Sequence, residues 1–308
     1  MIKGVIHFAG DTLPPIQTQF SFTQVWNALA DDTVAKEVRI VPKGSCYAVE
    51  LIYDITKLEE AGSYCRLLDN SRQAGIDLGI DNLMAIATNQ HDIAPVLIKG
   101  TALKSINAWY NKRVAQLRSQ EKFTHIVSIS QKRNRRIKDA THKASAQVLD
   151  FCLRNNIGTL VIGHNKGWKQ NVGIGKVNNQ KFVAIPHAIL IKQIQYKCKA
   201  VGISITVREE SYTSKASALD LDFIPTRNQD ENVKPLFSGK RTNRGLYKST
   251  SGIINADVNA ALNILRKEYG DAAMPAVRGV VFTPVSYYPA HVRSYDTRRE
   301  DAALKNVA

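Results

Sequence analysis

The sequence predicts an α/β protein that is built on one mixed β-sheet with helices on both faces and preceded by a small β-rich module. Three observations support this fold class. The 308 residues are 44% hydrophobic and 22% charged, which is a globular composition in a chain long enough to bury a large core. Strand-like and helical apolar patterns alternate from residue 71 to residue 210. No stretch reaches about 18 consecutive apolar residues, so we expect no transmembrane helix and no membrane partner.

The strand patterns come first along the chain. The segment CYAVELIYD (Cys46–Asp54) alternates polar and apolar residues, and it predicts a strand within residues 1–70. Three short apolar runs follow, at Gln73–Asp81, Leu83–Thr88 and Ile93–Gly100. Because a tight polar link, NQHD, joins the last two, we expect the three strands to form an antiparallel meander.

Two helices are predicted next, because apolar residues recur there every three or four positions. The first helix has Leu103, Ile106, Tyr110, Val114 and Leu117 in this pattern, and the second has Ile137, Ala144, Val148 and Cys152. A fourth strand is expected over Ile157–Gly163, and a third helix begins at Pro186 and ends at Gly202. A fifth strand covers Gly202–Glu210.

A polar segment without periodicity, Ser211–Ile254, follows. The last helix is predicted at Asp257–Lys267, and Gly270 is the stop signal of this helix. The predicted order is therefore three strands, helix, strand, helix, strand and helix. This is the order of the ribonuclease H-like fold, in which a mixed sheet carries helices on both faces.

The net charge of +15 predicts a polyanionic partner, most often nucleic acid. Residues 101–143 hold eleven Lys and Arg residues against Glu121 and Asp139, a local net charge of +9. Their centre is QKRNRRIK, and the residues that we expect to contact phosphates are Lys132, Arg133, Arg135, Arg136, Lys138 and Lys143. The alternative is a solvated helix face.

The four cysteines, Cys46, Cys65, Cys152 and Cys198, are scattered. A zinc ribbon needs closely paired thiolates, so the sequence predicts no zinc site. We expect reduced and mostly buried thiols, in a protein that is cytoplasmic and associated with the nucleoid.

Two acidic residues lie in apolar surroundings. Asp77 is flanked by Ile76 and Leu78 inside the first strand of the meander, where a lone carboxylate is costly to bury without a compensating cation. Asp257 begins the last helix, where it is either a charge cap or a functional carboxylate. Both meet at one end of the sheet in a ribonuclease H-like fold. Phosphodiester cleavage by two Mg²⁺ ions needs three or four such carboxylates.

Several segments resemble a known family. GIDLGIDNLMAIATN, YTSKAS (Tyr212–Ser217) and NADVNAALNI (Asn255–Ile264) are similar to the successive RuvC motifs of the TnpB (OrfB) proteins. These are transposon-encoded, RNA-guided DNA nucleases that are related to type V CRISPR effectors. HKAS (142–145) and GHNKGWKQ (163–170), which contributes Lys166 and Lys169, are also similar to the family. The resemblance covers about Ser71–Lys267, and it implies Mg²⁺-dependent cleavage of DNA selected by a guide RNA.

The first departure from the family pattern concerns the second catalytic carboxylate. Family members usually place a Glu at the end of the fourth strand, where this chain has Gly163. The fifth strand instead ends in Glu209 and Glu210, about 10 Å from the first strand at the usual strand spacing. Because Gly163 leaves the intervening space open, we infer that the catalytic Glu has moved to the fifth strand. The family spacing to Tyr212 favours Glu210, with Glu209 as the alternative.

If neither Glu reaches the site, both are surface carboxylates and the site is inactive. The expected catalytic residues and Mg²⁺ ligands are therefore Asp77, Glu210 and Asp257.

The second departure is the missing zinc ribbon. The segment that replaces it carries basic residues beside aromatic side chains, and we expect Lys240, Arg241 and Arg244 to bind nucleic acid there. The alternative is an ordinary surface loop. The third departure is a short N-terminal region, which resembles only the later part of the family's N-terminal lobe, so we expect a truncated copy.

The expected organisation follows from these comparisons of motifs. It comprises a partial wedge-like module (1–70), a RuvC-like nuclease core (71–210), a basic insertion (211–254), the last RuvC helix (255–270) and a C-terminal tail (271–308). The expected function is that of an RNA-guided, Mg²⁺-dependent DNA endonuclease of a transposable element. Two alternatives remain, a catalytically inactive nucleic-acid-binding relative and a guide-independent RuvC-like resolvase or nuclease.

Overall fold

The computed structural model describes residues 5–6, 14–17, 35–42, 47–53, 68–165, 185–226, 235–243, 245–274 and 280–289. The chain divides into two compact units, Met1–Arg66 and Leu67–Ala308. In the first unit, β1 (Val5–Ile6) pairs with β2 (Ile16–Gln17), and β3 (Ala35–Pro42) pairs with β4 (Tyr47–Tyr53), both antiparallel. The strand predicted at Cys46–Asp54 is confirmed as β4.

The second unit holds the remaining elements. In chain order they are β5 (Asp69–Leu78), β6 (Asn82–Thr88), β7 (Val96–Lys99), α1 (Thr101–Ser119), α2 (Phe123–Arg154), β8 (Ile157–Gly163), α3 (His187–Lys199), β9 (Ser204–Arg208), β10 (Lys240–Asn243), β11 (Leu246–Lys248), β12 (Ile253–Asn255), α4 (Ala256–Tyr269) and β13 (Val285–Tyr287). No helix in this described part of the chain is long and apolar enough to span a membrane.

Six of these strands form one mixed sheet in the order β13-β7-β6-β5-β8-β9. The β5–β6 and β6–β7 pairs are antiparallel, as the predicted meander requires, and the β5–β8 and β8–β9 pairs are parallel. The fold-class prediction of a mixed sheet with helices on both faces is confirmed. Because β5, β8 and β9 run in the same direction, the residues that end them lie at one edge of the sheet.

One face of the sheet packs against α1, α2 and α3. Side chains alternate along β5, so Ala74, Ile76 and Leu78 point to this face and are almost fully buried. They contact a cluster of branched aliphatic side chains from the helices, including Val148 and Leu190. This face is the main hydrophobic core.

The opposite face packs against α4. Gly75 faces this helix, and a Cβ there would clash with the Ala261 carbonyl oxygen and lie 2.9 Å from Leu265 Cγ. A glycine in β5 therefore allows the backbone of α4 to approach the sheet closely. Asp77 lies two residues after Gly75 in β5, and side chains alternate along a strand, so Asp77 also faces α4.

Two features of the fold differ from the sequence prediction. The polar segment over 211–254, in which the sequence shows no periodicity, contributes the antiparallel sheet β10-β11-β12, which ends at Asn255. Its strands have three or four residues and several exposed side chains, so they produce no apolar alternation. The predicted C-terminal tail contributes β13, which pairs in parallel with β7. That pairing joins residues about 190 positions apart, and no local pattern encodes it.

Candidate active site

An open cleft of about 1440 Å³ lies at the sheet edge where β5, β8 and β9 end. Asp77, Glu210 and Asp257 line it together. Asp77 is at the end of β5, Glu210 follows β9 by two residues, and Asp257 is in the first turn of α4. The structure therefore brings the three predicted carboxylates to one cleft.

The Asp77 carboxyl group is the most enclosed of the three. Burial raises its pKa well above the ordinary range, and the nearby Glu210 and Asp257 carboxylates raise it further. The Arg241 guanidinium acts in the opposite direction but does not outweigh them. Both acidic groups are therefore close enough to disfavour the ionised form of Asp77.

The two adjacent glutamates have opposite environments. Glu209 accepts hydrogen bonds from the backbone N–H of Ser211 and from the ammonium of Lys267, which is almost fully buried. Burial alone would raise the pKa of Glu209, but these hydrogen bonds outweigh it and lower that pKa. Glu209 is thus occupied by a structural ion pair, and it does not line the cleft described above.

Glu210 is the glutamate that faces the cleft. Its Oε2 atom is buried and has no hydrogen-bond partner among the described residues. Burial raises its pKa to about 7, with a further contribution from Glu209 that Lys267 partly offsets. Its backbone is fixed on both sides, since its N–H donates to Asn165 Oδ1 and its carbonyl accepts from Thr213 Oγ1. The orphaned oxygen has the properties of a ligand that lacks its cation.

Gly163, at the end of β8, lies directly beneath the Glu210 side chain. A Cβ at this position would be 2.8 Å from Glu210 Oε2 and closer still to Ile264 Cδ1. The strand between β5 and β9 therefore has no side chain at the point that Glu210 crosses. Any larger residue would have to displace either Glu210 or the packing of Ile264.

Asp257 is held by side chains from two other elements. Its Oδ2 atom accepts a hydrogen bond from Asn82 Nδ2 at 2.7 Å, and its Oδ1 atom is 3.4 Å from a guanidinium nitrogen of Arg241. Asn255, the N-cap of α4, accepts from the backbone N–H groups of Asp257 and Val258. The α4 cap is therefore supplied by Asn255, which leaves the Asp257 carboxylate available for other partners.

The carboxylate oxygens suit a hard divalent cation such as Mg²⁺. The orphaned Glu210 oxygen and the raised pKa of Asp77 both indicate that the described residues do little to stabilise the ionised form of these carboxyl groups, which a bound cation would stabilise. Within the part of the chain that the structure describes, however, no three His, Cys, Asp or Glu side chains already stand close enough together to hold a metal. The residues fit such an ion chemically, but the carboxylates would have to move towards it.

Buried asparagines on α4 explain the spacing of the NADVNAALNI motif. Asn259 donates to the Ala216 carbonyl and accepts from the Ala218 N–H, while Asn263 donates to the Thr213 and Ala216 carbonyls. The two asparagines are four residues apart and lie on one face of the helix. They fix the segment after Glu210, including the YTSK sequence, onto α4.

The hairpin β10–β11 carries Arg241 to the cleft. Tyr247, opposite Arg241 in the register, is buried and donates to the Lys215 carbonyl. Asp220 accepts hydrogen bonds from three residues at the two ends of this region, Ser238, Thr250 and Ser251. These hydrogen bonds hold together the two ends of the segment that stands in place of the zinc ribbon. They also lower the pKa of Asp220, although burial acts in the opposite direction.

The basic residues predicted to bind nucleic acid fall into three groups. Lys132, Arg135, Arg136 and Lys138 are exposed on α2, as are Lys240 and Arg241 on β10. Arg133 instead donates to Asn107 on α1 and lies 5.6 Å from the Tyr110 ring centroid, and Lys143 pairs with Asp139. Lys166, Lys169 and Arg244 lie outside the described residues.

Among the polar residues of the cleft that the sequence did not single out are Asn82 and Lys99. Asn82 is part of the GIDLGIDN segment, and Lys99 ends the third predicted strand. Their proximity depends on the register of β6 and β7, which the sequence alone does not define.

Two family models match this chain. The OrfB_IS605 model, described as a probable transposase, matches residues 63–169. A model described as the Cas12f1-like TNB domain matches residues 187–264. The two segments contain β5 to β8, α3, β9 and Asp257, so they include every carboxylate of the cleft. The family resemblance that the motifs predicted is confirmed.

Similar solved structures include two Cas12f complexes. A cryo-EM structure of a Cas12f1–sgRNA–target DNA complex aligns with a TM-score of 0.47 and 20% identity, over 74% of this chain and 55% of that chain. A cryo-EM structure of a CRISPR–Cas12f ternary complex aligns with a TM-score of 0.47 and 20% identity, over 78% and 47%. This chain therefore spans about half the length of these structures. No curated protein matches it.

Proposed function

We propose that this chain, whose residues 63–169 match the OrfB_IS605 family model, is an RNA-guided, Mg²⁺-dependent DNA endonuclease of a transposable element. The observation that carries the proposal is the convergence of Asp77, Glu210 and Asp257 on one open cleft. In a protein with a net charge of +15, three acidic side chains that face one another point to chemistry on a bound polyanion.

The carboxylates have distinct tasks in this proposal. Asp77, Glu210 and Asp257 would hold the divalent cations, which supply an activated water and charge stabilisation at the leaving oxygen. Because the pKa of Glu210 is about 7 without a cation, its proton must leave before this side chain can act as a ligand. Glu209 keeps its ion pair with Lys267 throughout.

Basic residues around the cleft would bind the nucleic-acid backbone. Arg241 is half exposed and its contact with Asp257 is long, so its guanidinium is available to a phosphate oxygen. Lys240 and Lys248 are directly opposite each other across the β10–β11 hairpin. Like charges in such a pair repel, and a phosphate between them would relieve the repulsion. The exposed lysines and arginines of α2 extend this basic surface.

One observation favours a second candidate function. Among the described residues, no three Asp, Glu, His or Cys side chains lie close enough together to hold a metal ion. In addition, Asp257 already contacts Asn82 and Arg241. A chain in which these contacts persist would bind RNA and DNA without cleaving. The second candidate is therefore a catalytically inactive nucleic-acid-binding relative of the same fold.

The test is purification of the full chain with its associated RNA, followed by a Mg²⁺-dependent cleavage assay on DNA that matches this RNA. The proposal expects cleavage by the wild type and none by Asp77→Ala. Binding of the matched DNA without cleavage would support the inactive relative. Cleavage that is independent of any RNA would instead indicate a guide-independent nuclease.

A further inference from the structure

Asn82 and Lys99 line the cleft but have no part in the function proposed above. Asn82 is the first residue of β6 and Lys99 is the last residue of β7. They are direct cross-strand partners in the antiparallel pair, so both lie at the sheet edge where Asp77 ends β5. Both side chains are half-buried.

A chain of two hydrogen bonds connects this pair to the carboxylate site. Lys99 Nζ donates to Asn82 Oδ1 at 2.8 Å, and Asn82 Nδ2 donates to Asp257 Oδ2 at 2.7 Å. An ammonium group can only donate and a carboxylate can only accept. The Asn82 amide therefore has one orientation that satisfies both neighbours, with its oxygen towards Lys99 and its nitrogen towards Asp257.

We propose that Asn82 and Lys99 are positioning residues that prepare Asp257 to bind a divalent cation. The proposal rests on the function proposed above, because it requires a cation at these carboxylates. Asn82 fixes Oδ2 of Asp257 and so orients the whole carboxylate. Among the described residues, the other oxygen of Asp257, Oδ1, contacts only Arg241, at 3.4 Å, and it is the atom left for the cation.

Lys99 acts on Asp257 through the Asn82 amide. Without the ammonium, the amide can rotate by half a turn and place its oxygen against the Asp257 carboxylate, where the two acceptors repel. Outer groups that fix a ligand in this way are a general feature of protein metal sites, and their loss weakens metal binding. Among the described residues, the other side-chain contact of this carboxylate is that with Arg241, which is longer at 3.4 Å than the 2.7 Å contact with Asn82. Asn255 binds only the backbone of the first turn of α4.

The experiment measures Mn²⁺ binding to the full chain without nucleic acid, by calorimetry and by electron paramagnetic resonance. We expect Asn82→Ala and Lys99→Met each to raise the Mn²⁺ dissociation constant on the order of 10-fold. The double variant should bind no more weakly than Asn82→Ala, because Lys99 acts through Asn82. Lys99→Arg keeps the charge and the donors, and it should restore most of the affinity.

Lys104→Met is the matched control. Lys104 pairs with Asp81 at the rim of the same cleft, so its removal takes away one positive charge without touching Asn82. Its Mn²⁺ affinity should equal that of the wild type. General electrostatics would make the loss of either positive charge favour Mn²⁺ binding, so an equal loss in Lys104→Met and Lys99→Met would overturn the proposal, because the loss would then not depend on the hydrogen bond to Asn82. If Asn82→Ala does not fold, Asn82→Ser should show the same loss.

Asp77→Ala separates this proposal from the proposed function. If Asp77→Ala loses Mn²⁺ binding while Asn82→Ala and Lys99→Met bind like the wild type, the positioning role is wrong and the nuclease proposal stands. If Asp77→Ala binds Mn²⁺ as tightly as the wild type, the carboxylates hold no cation, and both proposals are wrong.

Discussion

The two faces of the central sheet are built in different ways. The face that packs against α1, α2 and α3 is filled with branched aliphatic side chains such as Ile76 and Val148. On the other face, Gly75 lets the backbone of α4 approach the sheet closely. This face also contains the buried asparagines and the carboxylates of the cleft. The α4 face also buries apolar side chains, among them Leu97, Leu262 and Leu265. The difference is therefore that one face stabilises the fold by aliphatic burial, while the other combines burial with polar groups at defined positions.

Neighbouring residues of β5 test this division most strongly, because Asp77 and Ile76 point to opposite faces. In Asp77→Asn we expect cleavage to fall on the order of 10⁴-fold, as for the loss of a central catalytic group. Stability should be unchanged or higher, because the substitution removes a carboxyl group whose pKa burial and two acidic neighbours raise. Cleavage rates and thermal unfolding, measured on the same preparation, check both parts. A large loss of stability would show that Asp77 belongs to the structural face.

Ile76→Ala should have the opposite profile. The side chain is fully buried against the helices, so its truncation should cost about 2–5 kcal/mol of unfolding free energy. Urea unfolding at several pH values measures this loss. Below the unfolding transition, the remaining folded protein should bind Mn²⁺ like the wild type. Weakened Mn²⁺ binding in the folded variant would show that the two faces are not separable.

The α4 face should also give the metal-free protein its pH dependence around neutrality. Glu210 has a pKa of about 7 in the folded chain and an ordinary, lower value when unfolded. The folded state therefore binds more protons between about pH 4.5 and 7, and stability should fall as the pH rises through this window. In Glu210→Gln the decline should be smaller by about 2 kcal/mol. Chemical unfolding at pH 5 and pH 8 makes the comparison, with Glu209→Gln as the matched control. Equal declines in the wild type and Glu210→Gln would contradict a buried, protonatable Glu210.

The sequence predicted the elements that depend on local patterns better than the elements that depend on pairing between distant residues. The periodicity of Leu103, Ile106, Val114 and Leu117 predicted α1, and all four residues are buried in it. The meander and the last helix were predicted for the same reason. By contrast, β13 and the sheet β10-β11-β12 were missed, because short exposed strands and a pairing across about 190 residues leave no periodic signal.

The candidate site follows the same division. Asp77 and Asp257 were predicted because carboxylates in apolar surroundings are unusual. The space at Gly163 predicted a glutamate from the fifth strand, and the family spacing to Tyr212 favoured Glu210 over Glu209. Their catalytic roles stay predictions. Asn82 and Lys99 could not be predicted, because only the register of β6 and β7 makes them partners. Arg133 and Lys143 were predicted as phosphate contacts from charge alone, but each has a contact within the protein that a charge count does not reveal.

In the proposed active site, Glu210 crosses Gly163 and completes the set of carboxylates with Asp77 and Asp257. The most direct measurement compares Mg²⁺-dependent DNA cleavage by Glu210→Gln and Glu209→Gln, two isosteric changes at adjacent positions. Cleavage should be lost in Glu210→Gln, whereas Glu209→Gln should retain it and lose only stability through its broken contact with Lys267. Full cleavage by Glu210→Gln would contradict this arrangement.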